Sequence, residues 1–425
     1  MSVVFVVGLN HASAPFDLLE RVHVDGELQQ KLLADLSAEA GIDETMVVAT
    51  CQRTEIYIAA EWYHPAADKV QTALAAIADV TVESINQHGF AYHGDQALQH
   101  LFRVAAGLDS PVIGENEVLG QLRSAASAAR AAGAMGPELG AAVRKAVSVA
   151  RRARTALGAG ETAPRPSIAS AAVALAGELL ADPANARIAV LGRGDVASDV
   201  LDALVSDQPS REVMQFNRST TKAQRVRARV TSHDLATLPE RLAEFDAVFC
   251  CTSAESAIVT EPLVLAALAE RDARPLVLID LAMPRDVAPT VREIDDVVLL
   301  DVRDVSRFAG ERFAPPKDAI AAAEEAVVQG VDDYLVAASG RTVAPLVTAL
   351  RGKVEQTRVA ELQRARAFVG SLTDEQRDAL DALTRGLVAK VLHDPTVRLK
   401  DAAGSEAGER LASSLRHLFD LDDRP

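Results

Sequence analysis

Short apolar runs separated by amphipathic stretches fill the first third of the chain. Val3 to Val7, Met46 to Thr50 and Glu55 to Ala60 are β-like, while Leu28 to Ala40 repeats its apolar residues at helical spacing. This mixture predicts an α+β domain over residues 1–157. From Ser167 the pattern becomes regular. Ile188 to Leu191, Val213 to Phe216, Ala247 to Cys251, Leu276 to Ile279 and Val297 to Leu300 are continuous apolar runs, most of them separated by helical segments. Strands apolar on both faces with helices between them predict a parallel α/β sheet covered on each side, over residues 166–306. After Pro315-Pro316, which suit a helix start, residues 316–425 read as all-α. One helix is expected over Asp318 to Ala338 and a second over Leu346 to Val369. A third opens at a capping box, Thr373-Asp374-Glu375-Gln376, with a stripe of Leu380, Leu383, Leu387, Val388 and Val391. So thin a stripe finds cover against a second copy, and a homodimer is expected. Gly158 to Pro166, with two glycines and two prolines, reads as a hinge.

Composition agrees with a packed, multidomain protein: 425 residues at about 150 per domain give about three domains, and 49% of residues are hydrophobic. No apolar run is long enough to span a bilayer, and the first residues lack the basic region and cleavage site of a signal peptide. Three cysteines, two of them adjacent, build no disulfide framework and point to a reducing, cytoplasmic setting. The net charge of −16 argues against indiscriminate adhesion to nucleic acid or anionic membrane. A polyanion would need a local basic patch. Arg144, Lys145, Arg151, Arg152 and Arg154 lie in a stretch without acids, and the pairs seven apart share a helical face. Such a face is either a docking patch or simply solvated.

Gly192-Arg193-Gly194-Asp195-Val196-Ala197 follows a strand and opens a helix, the context a dinucleotide fingerprint requires. Gly192 permits the tight turn, Gly194 lets backbone approach a pyrophosphate, and Ala197 lets helix and strand pack closely. Arg193 either contacts phosphate or obstructs it. The next strand ends at Phe216-Asn217-Arg218-Ser219, where an NAD-type site carries an acid; here the position is neutral, with Arg218, Lys222 and Arg225 to welcome a 2′-phosphate. The expected cofactor is NADPH.

Cys51 follows an apolar run and is expected at a strand end. Extended backbone there would put Cys51, Arg53 and Glu55 on one face, with Ile56 and Ile58 in the core. The Arg53 guanidinium beside the thiol would raise its thiolate fraction and suit it to nucleophilic attack; a small buried hydrophobe is the other reading of a lone cysteine. His100 is a proton donor or acceptor near neutrality, or a hydrogen-bonded helix residue. No histidine spacing suggests a metal site. Cys250 and Cys251 read as core filler.

These segments together resemble glutamyl-tRNA reductase. The matching stretches are Gly8-Leu9-Asn10-His11 with Ala14-Pro15, Thr50 to Tyr57, His100 to Gln121, Arg154-Thr155, Ser167 to Ala176, Ile279 to Asp286 and Leu392-His393-Asp394-Pro395-Thr396, in order over nearly the whole chain. The resemblance implies that Cys51 attacks the ester joining glutamate to tRNA, and that hydride from NADPH reduces the resulting thioester to glutamate-1-semialdehyde, opening the C5 route to 5-aminolevulinate and tetrapyrroles. It implies substrate contacts at Thr50, Gln52, Arg53, Ser110, Glu115, Asn116, Glu117 and Gln121, a role in activity for His100, and cofactor contacts along residues 192–197 and 217–219. It also implies an N-terminal catalytic domain, a Rossmann domain and a helical dimerisation domain in a V-shaped dimer that closes about the hinge, with the aldehyde passing to glutamate-1-semialdehyde aminomutase. Gln52 stands where the family usually has Asn, Asn116-Glu117 where it has Pro-Gln, and Arg193 and Asp195 alter its Gly-Ala-Gly-Glu loop. Two other functions share parts of this pattern. A small-molecule NADP dehydrogenase of shikimate type would have the same Rossmann half and would ignore ribonuclease. A non-catalytic NADP- or tRNA-binding regulator would form no glutamyl adduct.

Overall fold

A computed structural model describes residues 2–115, 117–158, 167–209, 211–218, 229–271, 274–403 and 406–421. The chain divides into two compact units, Met1–Val328 and Gln329–Pro425. Two sheets make the first. Strands β1 (Val3–Asn10), β2 (Ile42–Thr50), β3 (Arg53–Ala60) and β4 (Phe90–His93) form an antiparallel sheet in the order β2-β3-β1-β4. β3 is buried along its whole length, because it is central and covered on both faces. Thr50 pairs with Arg53, so Cys51 and Gln52 form the two-residue connection of a hairpin. Cys51 stands at a strand end as expected, but in the turn and not in extended backbone. Arg53 and Glu55 do share a face, while Ile56 and Ile58 are fully buried as expected.

The second sheet holds β5 (Ile188–Leu191), β6 (Val213–Asn217), β7 (Val230–Asp234), β8 (Ala247–Cys250), β9 (Leu276–Asp280) and β10 (Val297–Asp301), all parallel, in the order β10-β9-β8-β5-β6-β7. Side chains alternate between two cores. Ile188 and Val190 join Phe249 and Ile279 on one face, and Ala189 and Leu191 join Phe216, Val248 and Leu278 on the other. The chain reverses its winding between β5 and β8, which opens a crevice at their carboxyl ends.

The two sheets meet through specific contacts. Phe16, from the helix Phe16–Val22, packs into the parallel-sheet core, with the Arg285 and Arg303 guanidinium groups 5.1 and 4.9 Å from its ring centre. Arg285 also holds Glu20 by Nε and Nη2 donors and by its own backbone N–H. Gln52 Nε2 donates to Ser306 Oγ at 2.9 Å. Residues 159–166 of the expected hinge lie outside the described residues.

Lys317–Arg364 is one helix with Pro345 inside it, where two helices were expected. Val343, Leu346, Val347 and Leu350 around the proline are buried in the helical unit's core, and this packing outweighs a loss of about 3 kcal/mol for proline in a helix interior. In the second unit the Thr373 capping box forms as expected and opens the helix Asp374–Asp401. Part of its stripe is bare: Leu383, Leu387 and Val391 are 70, 64 and 64% exposed, while Val388 packs against the helical core. No helix among the described residues is long and apolar enough to cross a membrane.

Candidate active site

A cavity of about 1230 Å³ runs from the carboxyl ends of β5, β6 and β8 to the β2–β3 hairpin. One wall is Gly192, Arg193, Gly194, Asp195, Val196, Asn217, Arg218, Thr252 and Ser253; another is His23, Thr50, Cys51, Glu117 and Gln121. The glycine turn is held from below, its Gly192 N–H donating to the Phe216 carbonyl and its Gly192 carbonyl accepting from Gln215 Nε2. Gly192 has φ +107°, and a Cβ there would run into the Cys251 carbonyl oxygen, whereas a Cβ on Gly194 would meet nothing. The helix Asp195–Asp207 thus presents its amino end to open space over a turn only glycine can make, which fits a pyrophosphate. Arg193 is exposed and lines the cavity beside the turn. Asp286 fixes the β8 loop by accepting from Thr252 N–H and Oγ1, at 2.8 and 2.5 Å. Asn217 is buried with Nδ2 donating to Ser232 Oγ, and Arg218 is exposed beside it. Ser219, Lys222 and Arg225 lie outside the described residues.

A second, small cleft of about 20 Å³ adjoins the first and shares Thr50, Cys51, Glu117 and Gln121 with it. It brings together Thr50, Gln52, Arg53, Ser110, Glu115, Glu117 and Gln121; Asn116 lies outside the described residues. Such a space holds about one water. Ile168, part of the parallel-sheet core, also lines it, so the cleft lies where the two sheets meet. Gln121 Oε1 is buried without a partner among the described residues, an acceptor left for a ligand.

Arg53 does not serve the thiol as expected. Its Nη1 donates to Glu55 Oε1 at 2.7 Å and Asp109 Oδ2 at 2.9 Å, and its Nη2 donates to the Asp109 carbonyl at 2.5 Å. Two of its five N–H donors remain. Tyr57 OH donates to Glu55 Oε2, and His100 Nε2 lies 3.0 Å from Glu55 Oε1. Burial alone would raise the Glu55 carboxyl, but His100 and Arg53 more than reverse that and hold it at about 2. His100 itself is packed among Phe90, Tyr92 and Tyr57 and lines neither cavity. It reaches Glu55, which in turn accepts from Arg53 on the cleft wall. Glu55, His100 and Asp109 bring three ligand-type side chains together, but the Arg53 guanidinium already supplies the positive charge among them.

Cys51 is half-buried, and its thiol is pushed up to about 12, first by burial and then by Glu117 and Glu115. Arg53, the weakest influence, opposes them without prevailing, which corrects the expectation of a ready thiolate. Burial and Glu117 in turn lift Glu115 to about 7, and burial with Asp199 and Asp195 lifts Glu117. Glu115 can therefore exchange a proton near neutral pH. Replacing Glu117 with Gln removes a charge that opposes ionisation. Cys51 alkylation by iodoacetamide at pH 8 is expected to accelerate, about tenfold for each unit the thiol falls. An unchanged rate would show that Glu117 does not govern the thiol.

Sequence reasoning missed Asp109, Ser306, His23 and the Thr252-Ser253 pair. Asp109, in Gly107-Leu108-Asp109-Ser110, and Thr252-Ser253, the first polar residues after the third apolar run of the parallel sheet, carried a usable signal. His23, whose Nδ1 lies 3.3 Å from the Thr50 carbonyl, and Ser306 carried none.

Residues 7–157 match the family model of the glutamyl-tRNAGlu reductase N-terminal domain, and residues 322–421 that of the same family's dimerisation domain. Residues 174–308 between them match shikimate/quinate 5-dehydrogenase. The chain is 34% identical to the glutamyl-tRNA reductase of Thermobifida fusca, over 99% of this chain and 96% of that one. It is also 34% identical to that of Pseudomonas entomophila, over 98 and 97%. The solved glutamyl-tRNA reductase from Methanopyrus kandleri is 27% identical with a TM-score of 0.49, covering all of both chains.

Proposed function

The chain belongs to the glutamyl-tRNA reductase family, and from that premise we propose that it reduces the glutamyl ester of tRNA to glutamate-1-semialdehyde, the opening step toward 5-aminolevulinate and tetrapyrroles. One observation carries the assignment of roles. Cys51 stands on the wall shared by a cavity with a dinucleotide turn and a cleft lined by Thr50, Arg53, Ser110, Glu115 and Gln121.

In this reading residues 1–157 carry the substrate chemistry, 166–306 hold the nucleotide and 316–425 pair two copies. The bare stripe Leu383, Leu387, Val391 supports a homodimer through the C-terminal helices. Cys51 Sγ attacks the ester carbonyl carbon while its proton passes to Glu115 or Glu117. The carbon–oxygen bond breaks, the carboxyl group returns the proton to the departing ribose oxygen, and free tRNA leaves a glutamyl thioester on Cys51. The two uncommitted donors of Arg53 suit the substrate carboxylate, and the amide of Gln121 suits its ammonium or carbonyl. Gly192, Gly194, Asn217 and Arg218 would hold NADPH, which supplies the hydride that turns the thioester carbonyl into an aldehyde. Cys51 then departs as thiolate and recovers a proton. A reactive aldehyde in the cytoplasm suits direct transfer to glutamate-1-semialdehyde aminomutase.

The test is incubation with glutamyl-tRNA labelled in its glutamyl group and no reductant. A hydroxylamine-sensitive label on the protein, discharged as aldehyde once NADPH is added, is the expected result; no adduct would refute the reading. For the cofactor, replacing Arg218 with Ala is expected to narrow the preference for NADPH over NADH by about tenfold, the worth of one charged hydrogen bond to a 2′-phosphate. Unchanged kcat/KM ratios for the two cofactors would remove Arg218 from the site.

A further inference from the structure

Between Val118 and Leu157 the chain carries seven arginines and lysines and one acid, Glu138, although the whole protein has 44 basic residues to 60 acidic. Two helices packed against each other, Glu117–Ala131 and Pro137–Ala156, hold all of them. The inward faces are small and apolar: Leu122, Ala126 and Ala129 on the first helix, Val143, Ala146 and Ala150 on the second. Those faces turn Arg123 and Arg130, and Arg144 and Arg151, out into solvent, where all four are exposed. Each pair is seven residues apart, about 10 Å along its helix. No ion pair among the described residues engages any of the four. The first helix also lines the large cavity through Gly120, Gln121, Ser124 and Ala128, so Arg123 and Arg130 ride on an element that reaches the Cys51 wall.

We propose that this arginine face is the surface on which the body of the tRNA rests, its phosphates meeting Arg123, Arg130, Arg144 and Arg151. The proposal builds on the reading of the substrate as a tRNA ester. Elsewhere acids exceed bases and the field repels a polyanion, so this patch attracts RNA and also orients it, presenting the acceptor end to the cavity beside it. Arginine suits the task, because its planar fork grips phosphate oxygens in pairs.

The test compares the full-length protein with R123Q/R130Q/R144Q/R151Q. A control set, R307Q/R364Q/R377Q/R385Q, changes net charge equally at exposed residues that line neither cavity. Turnover of glutamyl-tRNA is followed over a range of salt concentrations. A tRNA-free glutamyl thioester of N-acetylcysteamine reports acylation of Cys51 independently. The patch variant is expected to raise KM for glutamyl-tRNA at least about tenfold. It should also flatten the plot of log kcat/KM against log salt by about 0.7 to 0.9 for each phosphate that is no longer neutralised. Acylation by the small thioester and the kcat at saturating tRNA should hold, as should the behaviour of the control set, while the Arg→Lys version of the patch should keep the wild-type salt slope because its charges remain. Unchanged KM and salt slope in the patch variant, or equal losses in the control set, would overturn the surface while leaving the reductase reading intact. Failure of the wild-type protein to be acylated by glutamyl-tRNA would instead overturn the reductase reading, and the surface with it.

Discussion

Cys51→Ala is expected to lower turnover of glutamyl-tRNA by about four orders of magnitude or more and to abolish the covalent glutamyl adduct. The size follows from the division of labour at the hairpin tip. No other cysteine lines the small cleft: Cys250 is fully buried at the end of β8, and Cys251 is buried with its backbone cradling Gly192. Without the sulfur, hydride would have to reduce an oxygen ester directly, and the nucleophile's splitting of one hard step into two disappears. The substitution removes one half-buried side chain from a two-residue turn, so folding and NADPH binding should persist. Titration of NADPH fluorescence checks that. Retained turnover in Cys51→Ala, with normal cofactor binding, would end the thioester reading.

The second large effect is on stability. Arg53→Ala strips the counter-charge from Glu55, which is completely buried, and from part of Asp109. Removing one partner of a buried ion pair costs about 3–5 kcal/mol. The single tryptophan, Trp62, lies two residues beyond β3 and reports unfolding of that sheet by its fluorescence. Glu55, held at about 2 against an ordinary 4.5, stabilises the fold fully above pH 4.5, and that contribution drains away as pH falls toward 2. In Arg53→Ala the carboxyl should rise, moving acid unfolding to higher pH. Adding Glu55→Gln to Arg53→Ala should restore part of the stability, since the stranded charge is then gone. A denaturation midpoint for Arg53→Ala within experimental error of wild type would show that the network contributes nothing.

The parallel sheet was legible nearly to the residue, because β5, β6, β8, β9 and β10 are continuous apolar runs with no competing period. β7 escaped notice: Val230-Thr231-Ser232-His233-Asp234 is an edge strand, half in water, and reads as loop. β4 is short and its aromatic and histidine side chains mix with the following helix. Pro345 suggested a break because the buried side chains that override it are a tertiary fact. The residues offered as substrate contacts came from resemblance, and Thr50, Gln52, Arg53, Ser110, Glu115, Glu117 and Gln121 among them line the small cleft; what remained hidden was orientation. Arg53 is two residues from Cys51 but 56 from Asp109, and the distant carboxylate decides where the guanidinium points. The high ionisation threshold of Cys51 was hidden for the same reason, since Glu115 and Glu117 reach it only through folding.

That threshold also bears on oxidation. Hydrogen peroxide attacks thiolates, and a sulfur that stays protonated until its ester arrives is slow to form sulfenic acid. Cys51 is therefore expected to lose its reactivity toward iodoacetamide more slowly than an exposed free cysteine when both are treated with hydrogen peroxide.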